Sequence, residues 1–206
     1  MNRKSFNLAG LCVLILAFAA CKPKELNELT EAASALKTVF AAETAQAAGA
    51  NKQIVLIVSK AAHGISADVG DEFKSAFQKE GLSVVEIQSV DLGDPMRYGE
   101  FGLKVADLLE AIQKHSYVGA IVSLVGVPNI NDVGQVPATH PPILVIATAQ
   151  IGMAPGVRAN PDVLAQMLDA KIIQLAVVDS EGAPSGKSDK ASQVFSQHFQ
   201  ILRGSR

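Results

Sequence analysis

Ile54-Val55-Leu56-Ile57-Val58 is an uninterrupted β-branched and aliphatic run, and its reading decides the fold. An edge strand, or one with a wetted face, would alternate apolar and polar residues, so this run predicts a strand buried on both faces, as in a parallel sheet. Val118 to Val125 repeats the signature, and the two runs are expected side by side at the centre. Leu82 to Ile87, Ile143 to Ala147 and Ile172 to Val178 supply three further strands.

Between the strands the period changes to that of a helix. Val69, Phe73, Ala76 and Phe77 predict a helix over about 66–80, with Gly81 as its left-handed stop. Phe101, Val105, Leu108, Leu109 and Ile112 predict a second helix. Pro161 to Leu168 predicts a third, with Asn160 as N-cap and Pro161 at its first position. Strand and helix alternate, so the expected fold class is α/β: a three-layer, doubly wound, mainly parallel sheet of flavodoxin-like or Rossmann-like type. In the tail, 189–197 reads as a helix with Val194 inward, and 199–202 as a sixth strand or an edge whose partner is open.

Upstream of Lys52 the chain has a different character. Leu26, Leu29, Ala33, Leu36 and Phe40 recur at steps of three and four, which predicts a helical stalk and linker over 21–51, the helix broken at Ala47-Ala48-Gly49-Ala50-Asn51, ahead of an α/β domain over 52–206. Two readings of that stripe follow: a short coiled coil joining two protomers as a homodimer, or a helix laid on the main domain. Residues 1–20 read as a signal peptide, with Arg3 and Lys4 at the start and an apolar run from Leu8 to Ala20 too short to span a bilayer.

Ala19-Ala20-Cys21 resembles the lipobox of bacterial lipoproteins, departing from it in Phe18, where a smaller aliphatic residue is usual. The resemblance implies that Cys21 is lipidated and becomes the mature N-terminus, a membrane anchor facing outside the cytoplasm in the cell envelope. In a two-membrane bacterium, Lys22 after the cysteine implies outer-membrane sorting. Ordinary secretion, with cleavage after Ala17-Phe18-Ala19, is the alternative. The only other cysteine, Cys12, lies inside the leader, so the mature chain forms no internal disulfide.

The formal charge of −2 becomes −4 once Arg3 and Lys4 are removed, and no Lys/Arg cluster is present. That argues against nucleic acid as a partner and against electrostatic membrane binding.

Ligands of open parallel sheets sit beyond the carboxyl ends of the strands. Ser59, His63 and Ser66 follow the first strand, Asn129, Asn131 and Asp132 the third, and Gln150 the fourth; these are the candidate ligand-binding residues. Thr148 lies in the same loop as Gln150. Their donors and acceptors suit a small polar ligand, yet the same residue types are ordinary turn formers. Asp91 and Asp94, beside Gly93 and Pro95, read as a turn, and His115 reads as a helix C-cap.

No catalytic motif is present. Gly182-Ala183-Pro184-Ser185-Gly186-Lys187-Ser188 approaches a P-loop but has three residues between its glycines where four are needed, and Glu181 stands in the first glycine's place. Histidine spacing supports no metal site, and no cofactor is implied.

The buried first strand, the small polar loop, the amphipathic helix ending at Gly81 and the following Leu82-Ser83-Val84-Val85 together resemble one lobe of the type I periplasmic binding proteins. That family closes two lobes on a ligand, and this chain has the length of one. The leading expectation is a lipid-anchored, noncatalytic recognition domain for a small polar ligand or an envelope partner. The alternatives are a hydrolase-like enzyme using His63 as a base, with Asp132 nearby, and an envelope scaffold or interaction protein.

Overall fold

The structure, a computed structural model, describes residues 24–60, 68–94, 102–128, 136–148, 161–180 and 190–204. In chain order the elements are α1 (Lys24–Ala47), β1 (Gln53–Ser59), α2 (Asp68–Lys79), β2 (Ser83–Val90), α3 (Val105–Lys114), β3 (Ala120–Ser123), β4 (Ile143–Ala147), α4 (Pro161–Asp169), β5 (Leu175–Asp179), α5 (Lys190–His198) and β6 (Phe199–Arg203).

The six strands form one sheet in the order β2-β1-β3-β4-β5-β6. The first five are parallel, and β1 lies beside β3 with Ile54 opposite Ala120 and Ile57 opposite Ser123. The order β2-β1-β3-β4-β5 is the flavodoxin-like form of the doubly wound sheet. β6 closes the far edge antiparallel to β5, with Asp179 opposite Phe199 and Ala176 opposite Leu202. That supplies the partner the sequence left open.

Buried side chains alternate along each central strand. Val55, Ile57, Ile121 and Val145 join one core with Leu108, Ala111 and Ile112 of α3 and Leu164, Met167 and Leu168 of α4. Ile54, Leu56, Val122 and Ile146 join the other with α1, α2 and α5. Both faces are covered, which is why these strands read as continuous apolar runs.

α1 belongs to this second core. Leu36, Phe40 and Ala41 are fully buried, and the Phe40 ring packs within 6.3 Å of Phe73 and 6.2 Å of Phe77 of α2. The helix lies on the domain, with Leu36, Phe40 and Ala41 spent on this core. The stripe is also turned from the expected one. Ala32 and Ala35 are buried, whereas Ala33 is only half-buried and Leu29 keeps 47% of its surface exposed.

Two strands are shorter than their apolar runs. β3 ends at Ser123 because its hydroxyl donates to the Gly126 carbonyl at 2.6 Å and accepts from the Val125 N–H at 3.4 Å, closing a turn inside the run. β5 begins at Leu175 because Ile172 and Ile173 are spent on the stop of α4, their N–H groups reaching the Met167 carbonyl at 2.9 and 3.3 Å. Gly81 has φ +74°, as expected of a left-handed stop. His115 is the C-cap of α3, its N–H donating to the Ala111 carbonyl. Phe101, Asn160 and the stretch 182–188 lie outside the described residues.

Candidate functional site

The chain leaves β1 toward β2 and leaves β3 toward β4, in opposite directions across the sheet. The carboxyl ends of β1 and β3 are therefore the topological switch point, where open α/β sheets leave a crevice for a ligand.

Small polar side chains stand along this edge. At the end of β1, the Ser59 hydroxyl donates to the Lys60 carbonyl at 3.1 Å, and the Lys60 N–H donates to Val90 O at the end of β2, 2.8 Å away. At the end of β3, Ser123 is 1% exposed and turned into its own loop. Thr148, directly after β4, is fully buried, and its hydroxyl donates to Oδ1 of Asp179, the last residue of β5. A bridge between Leu103 and Pro128 ties the segment after β2 to the segment after β3. Asp91 accepts the Gly93 N–H at 3.0 Å, the turn its neighbours implied.

Of the expected site residues, Ser59 is placed at this edge. His63, Ser66, Asn129, Asn131, Asp132 and Gln150 lie outside the described residues, as does Cys21. Pro128, next to Asn129 in sequence, is at the edge through its bridge to Leu103.

Similarity to known structures is low. The chain is similar to a periplasmic ribose ABC transporter structure from Conexibacter woesei, with 18% identity and a TM-score of 0.46 over 71% of this chain and 45% of that one. A structure from Mycobacterium smegmatis is similar at 17% identity and a TM-score of 0.43, over 74% of this chain and 47% of that one. The chain thus spans less than half the length of either. No family model and no curated protein matches. The site reading rests on strand order and local geometry, not on that likeness.

Ser123 and Asp179 were not among the expected site residues. Ser123 is a single polar residue inside an apolar run, and Asp179 is a carboxylate directly after Val177-Val178; neither carries a signal in the sequence, and each is marked only by its partner, the Gly126 carbonyl and the Thr148 hydroxyl. The Thr148–Asp179 pair sets a carboxylate, oriented by a buried hydroxyl, across the ends of β4 and β5.

Cavities of about 300 Å³ are present at three other places, none of them lined by Ser59, Ser123, Thr148 or Asp179. One, of about 310 Å³, is at the amino ends of β4 and β5, bordered by His140, Pro142, Lys171 and Gln174. The others are surface grooves of about 300 Å³ where α1 meets α5 and α2. The amino edge holds the helix-to-strand turns and no change of strand direction, so the switch point is the stronger candidate. Among the described residues no group of three or more His, Cys, Asp or Glu is placed to hold a metal, and no helix is long and apolar enough to cross a membrane.

Proposed function

We propose that this protein is a lipid-anchored, extracytoplasmic recognition domain that binds a small polar ligand, without chemistry, at the carboxyl edge of its sheet. The observation that carries the reading is the switch point between β1 and β3, bordered by Ser59 and followed in sequence by His63, Ser66, Asn129, Asn131, Asp132 and Gln150. Such a crevice presents strand-end backbone groups and short polar side chains to one ligand, and binding needs no further group. The charged start, apolar run and Ala19-Ala20-Cys21 support the anchor and the address.

Thermal unfolding of the mature domain against a panel of sugars, amino acids and nucleosides tests the site. A binder raises Tm in proportion to the logarithm of its concentration. Asn131→Ala should then weaken binding by about 1 to 3 kcal/mol while leaving the ligand-free Tm near wild type. A ligand whose affinity is untouched by Asn131→Ala, Asp132→Ala and His63→Ala together would place the site elsewhere. For the anchor, Cys21→Ala should leave unprocessed precursor or release the domain into the soluble fraction. An intact mass with an unmodified N-terminus would remove that part of the reading.

A further inference from the structure

We propose that the carboxyl edge of the sheet faces the bilayer holding the anchor, so that the surface it meets is the headgroup layer of that membrane. This rests on the reading of Cys21 as lipidated; what it adds comes from the course of α1.

α1 runs antiparallel to the strands. Its C-terminal end is at the amino edge, where the Ala45 carbonyl accepts from Lys52 Nζ at 2.8 Å and Asn51 Nδ2 donates to the Tyr117 carbonyl at 2.6 Å. Glu43 pairs at 2.8 Å with Arg203, which stands opposite Leu175 at the start of β5. Its other end reaches the carboxyl edge. Glu31, Ser34 and Ala35 border Lys190, Ala191 and Val194 of α5, and α5 runs straight into Phe199, the partner of Asp179 at the end of β5.

Ala32, at 1% exposure, is the first buried residue of α1 among those described, and Glu28 to Glu31 are exposed. The helix itself continues for about 12 Å ahead of Ala32, back to Lys24. Only Lys22 and Pro23 separate Cys21 from the helix, a reach of about 10 Å at most. The rest of α1 cannot swing, because Leu36, Phe40 and Ala41 are fully buried and Lys37 pairs with Glu72 of α2 at 2.7 Å. A long flexible tether would leave the domain free to tumble. This one has almost no slack, and it emerges on the side of the switch point. The carboxyl edge is held within about 20 Å of the lipid, with the amino edge farther by a strand length of about another 20 Å. That gap admits headgroups and small solutes but not a folded domain, whose radius of gyration alone is about 13 Å for 100 residues.

Cys12 lies in the leader and the sulfur of Cys21 would carry the lipid, so any introduced cysteine is the single free thiol of the mature protein. Lys60→Cys marks the carboxyl edge and Glu80→Cys the amino edge, both at exposed positions. Each full-length variant is expressed in a lipidating bacterial host, labelled with a fluorophore, and reconstituted into phosphatidylcholine vesicles containing a headgroup-linked quencher. Quenching should be several-fold stronger at position 60 than at position 80. A Gly-Ser linker of about ten residues inserted between Pro23 and Lys24 should erase the contrast. Equal or reversed quenching in protein whose intact mass shows the lipid overturns the orientation alone. An unlipidated mass overturns the anchor and the orientation together.

Discussion

At the scale of single residues, two helix stops built alike are filled by different residues. After α2, the Gly81 N–H donates to the Gln78 carbonyl and the Leu82 N–H to that of Phe77; after α4, the Lys171 N–H donates to Leu168 and that of Ile172 to Met167. Both are Schellman stops with an apolar contact across the turn, Leu82 on Phe77 and Ile172 on Met167. Gly81 adopts φ +74° without strain, whereas Lys171 is forced to φ +58°. Gly81→Val should therefore destabilise by about 1 kcal/mol or more, from backbone strain alone, since nothing lies within 4 Å of an added Cβ. Lys171→Gly should stabilise by about 0.5 to 1 kcal/mol, the strain relieved minus the added chain entropy. Urea unfolding midpoints measure both, and a Lys171→Gly midpoint below wild type would contradict the account. Gly119 is constrained by space instead. A Cβ there would sit 1.8 Å from the Asn51 carbonyl oxygen, at the junction of α1, β1 and β3. Gly119→Ala should cost about 2 kcal/mol or more, because the obstacle is backbone.

At the scale of elements, α1 carries the sharpest prediction. Phe40 is fully buried against Phe73 and Phe77, so Phe40→Ala should destabilise the monomer by about 3 to 5 kcal/mol, whereas Leu29→Ala should change stability by less than about 0.5 kcal/mol. A helix serving a coiled coil would reverse that order and show a concentration-dependent Tm. The edge strand β2 is tied to α3 by charge. Glu86 Oε1 accepts from Lys114 Nζ at 2.6 Å, and Oε2 lies 3.3 Å from Nε2 of the buried His115. The Lys114 hydrogen bond chiefly, helped by the charges of Lys114 and His115, holds the Glu86 carboxyl below its ordinary value of 4.5. A depressed carboxylate stabilises the fold above its unfolded pKa, and that contribution is lost as pH falls through the folded pKa. Wild-type Tm should consequently fall more steeply than that of Glu86→Gln below pH 4.5, and parallel curves would show that the pair adds nothing. Both groups are partly exposed, at 31% and 53% of their side chains, so the effect should shrink in high salt. β2 also carries an irregularity in its pairing with β1: Ile54 faces Val84 and Val55 faces Glu86, leaving Val85 unpaired and 38% exposed. Such bulges twist an open edge away from pairing with other chains.

At the scale of the whole molecule, the sheet has two covered faces, and α1 forms much of one cover. Removing 24–51 would expose Ile54, Leu56, Phe73 and Phe77, so the fragment 52–206 should lose cooperative unfolding and aggregate. A soluble fragment with a sharp transition would instead make α1 an accessory. The sequence by itself determined the α/β class, the parallel core and the adjacency of β1 and β3, because strands buried on both faces must be apolar throughout and that demand is local. It also marked Gly81 as a stop, since a left-handed turn has one cheap solution. It did not determine where β3 ends, because the Ser123 turn inside an apolar run is visible only once its hydroxyl has found the Gly126 carbonyl. Nor did it determine which stripe of α1 is buried, since 3.6-residue periodicity leaves a rotation of one residue nearly degenerate until the sheet and Phe73 choose between them. Asp179 was silent for a related reason: a carboxylate after a strand is commonplace until the Thr148 hydroxyl, 31 residues earlier, is seen to hold it. Only tertiary structure brings such pairs together, because strand order, not chain order, decides which strand ends are neighbours.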